Sequence, residues 1–263
     1  IFTDYLDFHF YKDGEFITSI QIAKIENGAI IDAYNGSYVT PLIISVFQRH
    51  YSIANLLIES GADINIRNDF NQSGLFISTM LGNIDAIEFF ILNGADMYST
   101  GGFHGDMALH IYVGEMVQKS RMVEPGIIQL YLDNGYDPNY ADAFDYQLIH
   151  TLSMQDDIDV IKLLENYKID YNSVTTEGVT PLWIAAMTGS YITLDYLLEK
   201  GAIIDHQLEN GMTLLMWAVQ NNLVDLAKYL IDAGASLNIK DAEGKSVVDY
   251  ASEELIEVLN LKI

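Results

Sequence analysis

A phrase of the type Gly-Ala-Asp-Ile-Asn returns along this chain at a fixed interval, and that interval limits the fold more than any single residue does. Its copies begin at Gly28, Gly61, Gly94, Gly135, Lys168, Gly201 and Gly234, so successive steps are 33, 33, 41, 33, 33 and 33 residues. A period of this length marks supersecondary units that cannot bury their apolar faces alone and therefore stack on their neighbours. The one long step puts eight extra residues into the fourth repeat.

Each column of the repeat has a physical reading. The opening glycine, replaced only at Lys168, suits the left-handed residue that ends a helix. Four residues on stand Asp32, Asn65, Asn139, Asn172, Asp205 and Asn238, with Tyr98 the departure; short polar side chains there are expected to bond nearby backbone and favour a turn. Ten residues after the opening position come Asn71, His104, Asp145, Gly178, Gly211 and Gly244, mostly types that accept a positive φ at a hairpin tip; Tyr38 departs, with Gly36 close by. An apolar anchor follows at Leu42, Leu75, Leu109, Ile149, Leu182, Leu215 and Val248 and opens a short helix. Thr40-Pro41 and Thr180-Pro181 precede two of these anchors, and proline in a first helical turn loses no hydrogen bond. A polar break at Asn83, Asp157, Ser190 or Asn222 suits the cap of a second helix, which carries apolar pairs such as Leu56-Leu57, Phe89-Phe90, Leu163-Leu164 and Leu197-Leu198.

Hairpin, inner helix, turn and outer helix, with Thr-Pro-Leu, Leu-Leu and Gly-Ala-Asp at these offsets, closely resemble the ankyrin repeat over roughly residues 7 to 263. The histidine of that pattern stands only at His110 and His150. The resemblance implies an all-α ankyrin-repeat solenoid of stacked helix-turn-helix units with β-hairpin loops. A single domain, 1–263, is expected: an N-terminal capping repeat at 1–39, internal repeats at 40–245 with the eight-residue insertion inside 106–126, and a C-terminal cap at 246–263. In the N-terminal cap, Phe16 to Asn27 reads as an outer helix; in the C-terminal one, Ser252 to Leu261 does, with Glu253, Glu254 and Glu257 facing solvent.

The charge balance narrows the partners. With 37 acidic and 13 basic residues, the net charge of −24 repels phosphate backbones, so no nucleic acid is expected, and it speeds encounter with a basic protein. The same acidity also serves plain solubility. The absence of cysteine removes disulfides and thiolate chemistry. No apolar run reaches the roughly 18 residues of a membrane span, so no membrane insertion is expected. No leader-like segment opens the chain, yet it lacks an initiator Met, which leaves room for a removed leader and leaves the compartment open between cytoplasmic and exported. A monomer without cofactor is expected.

The resemblance implies that a protein ligand is gripped by hairpin tips and by the concave face of the inner helices. Nine residues after the opening position, three successive copies carry Phe70, Phe103 and Phe144, which would line one rim as an aromatic stripe or fold back onto neighbouring hairpins. On the inner helices the concave columns hold Phe47, Met80, Met154, Met187 and Gln220, then Gln48, Leu81, Gln155, Thr188 and Asn221; core packing between repeats is the alternative for the methionines. The insertion, near Val113 to Gly126, carries Lys119 and Arg121 beside Glu115 and Glu124 and reads as a loop on one face, binding or merely tolerated.

Catalytic patterns are weak. The histidines are scattered, and His110 and His150 hold the position where a buried hydrogen bond is the family's usual role. Asp156-Asp157-Ile158-Asp159 reads as helix capping, without calcium-loop spacing, and Gly101 to Gly105 as a hairpin. The main expectation is a non-enzymatic protein-binding scaffold or adaptor. Alternatives are an inhibitor or immunity-type protein that neutralises a basic toxin or enzyme, the interaction module of a larger effector with catalysis elsewhere, and a metal or enzyme site built on His104, Asp106 and His110.

Overall fold

Short hydroxyl side chains start the inner helices. In the computed structural model, which describes residues 31–32, 39–101, 106–119 and 121–260, Thr40, Ser73, Thr180 and Thr213 each accept the backbone N–H three residues on. That bond satisfies one of the donors a helix leaves open at its N-terminus. The inner helices that follow are α1 (Pro41–Phe47), α3 (Gly74–Met80), α5 (Ala108–Gln118), α7 (Leu148–Leu152), α9 (Pro181–Thr188), α11 (Leu214–Gln220) and α13 (Val247–Tyr250). Each is paired with an outer helix: α2 (Tyr51–Glu59), α4 (Ile84–Leu92), α6 (Pro125–Asp133), α8 (Ile158–Lys162), α10 (Tyr191–Glu199), α12 (Val224–Asp232) and α14 (Glu253–Val258). The all-α class of stacked helix-turn-helix units is what the described residues adopt. The expected N-terminal cap, with its Phe16–Asn27 helix and the Gly28 turn, lies outside them, as do Phe103 and His104.

The opening glycine works as its conformational freedom demands. Gly61 has φ +94°, donates its N–H to the Ile58 carbonyl at 2.9 Å, and is followed by Ala62 donating to Leu57 at 2.9 Å. This double closure is a Schellman motif, repeated at Gly94, Gly135, Gly201 and Gly234. Where Lys168 stands instead, α8 tightens into a 3-10 turn over Leu163–Asn166 and Tyr167 leaves in extended conformation. A β-carbon penalises the left-handed residue, so the helix ends by another route.

The described residues form two compact units: one runs up to Tyr112 and includes Gly126–Tyr136, the other takes Val113–Pro125 and the residues from Asp137 on. In the first, the anchors Leu42, Leu75 and Leu109 and the outer-helix residues Leu57, Phe90 and Tyr131 are fully buried. In the second, Ile149, Leu182 and Leu215 are matched by Leu164, Leu197 and Leu230. Burying a side chain of this size contributes about 1.5–3 kcal/mol, and the recurrence of the same two columns makes each unit's core regular. Tyr131 differs in bringing a hydroxyl into the core; it lies 2.6 Å from Thr79 Oγ1, which itself donates to the Leu75 carbonyl. Tyr131 is therefore the donor of that pair.

Candidate functional site

The hairpin tips are closed by a bond pattern that repeats with the period. Seven residues after the opening position a backbone N–H donates across the tip, Asn68 to Gln72, Asp142 to Tyr146, Thr175 to Val179, Leu208 to Met212 and Asp241 to Lys245, at 2.9 to 3.0 Å. The left-handed residue that allows this closure is Asn71, Asp145, Gly178, Gly211 or Gly244. Strand pairing is confined, among the described residues, to Thr100–Gly101 against Asp106–Met107 and a single bridge between Gln207 and Thr213.

Two tips carry phenylalanine on loops tied by a side chain that the sequence reading passed over. Asn68 Oδ1 accepts the N–H groups of Phe70 and Gln72 at 3.0 and 2.9 Å. Asp142 Oδ1 does the same for Phe144 and Tyr146, both at 2.9 Å. Phe70 is 43% and Phe144 49% exposed, so each ring is partly offered to solvent from a fixed loop. They belong to different units, each placed by its own. The signal for the tie was a short polar residue two before each phenylalanine, at Asn68 and Asp142.

The inner-helix columns are uneven. Phe47, Gln48 and Met80 in the first unit and Met154 and Gln155 in the second are half-buried, while Met187 is 57% exposed and Thr188, Gln220 and Asn221 are exposed. Three residues before Gln220 on α11, Trp217 is half-buried and its ring centroid lies 6.1 Å from that of the buried Trp183 on α9. Helical spacing puts Trp217 on the face of Gln220 and Asn221. The repeat columns alone point to those two and not to the tryptophan, although the same i, i+3 arithmetic reaches it.

Several local expectations are corrected. The polar column four residues after the glycine bridges repeats instead of making the local turn: Asn65 Oδ1 accepts from Asp96 N–H at 2.8 Å, Asp205 Oδ1 from Ser236 N–H at 2.9 Å, and Asn172 both accepts from Ile203 N–H at 2.7 Å and donates to the Gly201 carbonyl at 3.2 Å. The local turn is held two positions earlier by Asp63, Asp96, Asp137 and Asp170, each accepting the N–H two residues on. Asn83 and Asp157 cap α4 and α8 as expected. Ser190 does not cap α10; its hydroxyl pairs with Thr188, and Asp156 of the preceding repeat accepts the Thr193 N–H at 3.1 Å in its place. Asn222 instead takes φ +57° in the turn and leaves Leu223 as the cap position of α12.

The insertion is also less of a loop than expected. It lengthens α5 to 11 residues, against 7 in α1, α3 and α11. The Glu115–Lys119 ion pair, at i, i+4 spacing, spans the end of this extension. Lys119 and Arg121 are exposed, and Arg121 N–H closes the turn on the Met116 carbonyl at 2.8 Å.

The two framework histidines are buried. His150 Nδ1 accepts the Gln147 N–H at 3.1 Å, which requires an unprotonated Nδ1 and makes Nε2 the donor to the Ser173 carbonyl at 3.1 Å. His110 Nε2 lies 3.3 Å from the Tyr136 hydroxyl. No group of three or more His, Cys, Asp or Glu among the described residues is arranged to hold a metal. The electrostatics are local: burial first, then the Glu177 and Asp142 charges, push the Tyr146 hydroxyl above its ordinary range. The Tyr250 hydroxyl, then the Lys245 and Glu243 N–H groups, hold the Asp241 carboxyl below the usual carboxylate range.

Family models described as ankyrin repeats match residues 116–207 (three copies), 197–251 (many copies) and 38–69 (a single repeat). Among curated proteins, the palmitoyltransferase AKR1 of Lachancea kluyveri is 27% identical over 75% of this chain and 27% of its own length. The B-cell lymphoma 3 protein homolog of Mus musculus is 26% identical over 81% of this chain and 40% of its own. Human palmitoyltransferase ZDHHC13 is 26% identical over 84% and 34%. The chain thus spans at most 40% of the length of these relatives. Among solved structures, the ankyrin repeat domain of Bcl-3 superposes with TM-score 0.72 at 22% identity, over 86% of this chain and all of that one. That of human ASB11 gives 0.63 at 22%, over 84% and 97%.

Proposed function

The chain belongs to the ankyrin repeat family, and from that premise we propose that it is a non-enzymatic scaffold that grips a partner protein with its hairpin tips and inner-helix face. The observation that carries this reading is the exposure of Phe70, Phe144 and Met187 at positions the framework leaves variable, the two phenylalanines on tips tied by side-chain and backbone hydrogen bonds. Exposed rings on ordered loops suit interface anchors, since little entropy is lost on binding. Phe47, Gln48, Met80, Met154 and Gln155, half-buried on or just after their inner helices, would add to the contact, and Lys119 and Arg121 would contribute from the insertion. Capture of a partner at physiological salt, followed by cross-linking and mass spectrometry, tests this: cross-links should fall on the hairpins and inner helices, and cross-links confined to the outer helices would reject it.

A second reading has its own support. Since the chain spans at most 40% of relatives named palmitoyltransferase or B-cell lymphoma 3 protein homolog, it also suits the interaction module of a larger protein with catalysis elsewhere. The full reading frame decides between the two.

A further inference from the structure

The hairpins of the second unit combine exposed aromatic rings with carboxylates. On the hairpin that follows Gly135, Tyr140 is 48% exposed, Phe144, four residues on in sequence, is 49% exposed, and Asp145 is exposed in a left-handed conformation. The next tip is tied to it, since Thr176 N–H donates to the Phe144 carbonyl at 3.0 Å, and this brings the exposed Glu177 alongside. Burial first, and then the Glu177 and Asp142 charges, disfavour ionisation of the Tyr146 hydroxyl, so both carboxylates lie within electrostatic reach of it. Asn139 Nδ2, donating to the Lys168 carbonyl at 3.1 Å, and Asn172, bonded to Gly201 and Ile203, hold successive hairpins in register. Across residues 135–146, 168–179 and 201–212 the only lysine or arginine is Lys168.

We propose that this tip face binds an arginine-bearing basic segment of the partner protein, with a guanidinium laid on the Phe144 ring and paired with Asp145 or Glu177. The proposal rests on the scaffold role above and adds the chemistry of what is held. Arginine fits better than lysine because its planar guanidinium stacks on a ring while its edge donates two parallel hydrogen bonds to a carboxylate. The overall charge of −24 draws such a segment in.

The test uses the full chain and three synthetic dodecapeptides of identical Gly-Ser background, bearing four arginines, four lysines or four citrullines, titrated calorimetrically at low and physiological salt. The arginine peptide should bind several-fold more tightly than the lysine one and the citrulline peptide should not bind. F144A should weaken arginine binding by about tenfold, the loss of one desolvated cation–ring contact. E177Q, which leaves the aromatic ring in place, should weaken it several-fold, and I192A, at an exposed position of the outer helix α10, should leave it unchanged; unaltered melting of each variant guards against misfolding. Equal affinity for arginine and lysine with no effect of F144A reduces the face to general acidity and overturns the proposal, as does absence of binding. If the peptides fail while a captured partner still depends on Phe144 and Met187, the arginine site falls and the scaffold role stands; if the arginine peptide binds at Phe144 but no protein partner does, the reverse holds.

Discussion

Arg49 sits at φ +61° in the turn between α1 and α2, where Gly82 and Gly189 occupy the matching turns. A left-handed residue with a β-carbon costs roughly 1–2 kcal/mol, and the exposed Arg49–Asp85 ion pair at 2.5 Å offsets only about 0–1 kcal/mol of it. Arg49→Gly should therefore raise stability by up to about 1 kcal/mol in urea denaturation, while Arg49→Ala, which keeps the β-carbon and loses the pair, should not. Tyr131 gives a second residue-level prediction. Tyr131→Phe removes the donor to Thr79, which keeps its bond to the Leu75 carbonyl, so the loss should be about 1 kcal/mol rather than the several expected of a stranded polar group. Asp241 supplies the pH dependence. Its folded pKa lies below the unfolded value of about 3.9, so its stabilisation is present above that pH and disappears as pH falls through the folded pKa. Asp241→Asn can keep the two backbone bonds, as Asn68 does, so the wild type should be more stable at neutral pH and the gap should close on acidification. A gap that stays constant down to strongly acid pH contradicts this assignment.

Between neighbouring repeats the fold is held by side-chain bridges as well as core packing. Asn172→Ala removes bonds to both Gly201 and Ile203, and a loss of about 1–3 kcal/mol is expected in equilibrium unfolding; no loss would return this residue to the local-turn role. That role was read from residue type alone, because an Asn suited to a turn and an Asn reaching the next repeat are identical in sequence. Where an Asp stands two positions earlier, as Asp170 does, it takes over the local turn and leaves the Asn for the bridge. The glycine stops, the left-handed tips and the anchor leucines were legible because each is set by backbone geometry within one unit. Trp217 and the cap that Asp156 supplies to α10 were not, since they depend on what the adjoining repeat presents. The insertion was located by counting, but counting cannot distinguish four more helical residues from a loop; the Glu115–Lys119 spacing was the available clue.

For the chain as a whole, the period itself carries stability, and the proposed function rests on the departures from it. The framework columns are buried or bonded, which leaves tips and inner-helix faces free to vary without unfolding the stack. With a charge of −24, association with a basic partner should slow markedly as salt rises while dissociation changes less, a distinction that stopped-flow kinetics at two ionic strengths can read. The partner's affinity for the chain with Phe70, Phe103 and Phe144 all changed to serine, compared with wild type at matched thermal stability, bears most directly on the scaffold role. Affinity should fall by at least about tenfold with melting little altered, as expected when interface anchors are lost from a stable framework; unchanged affinity would contradict it.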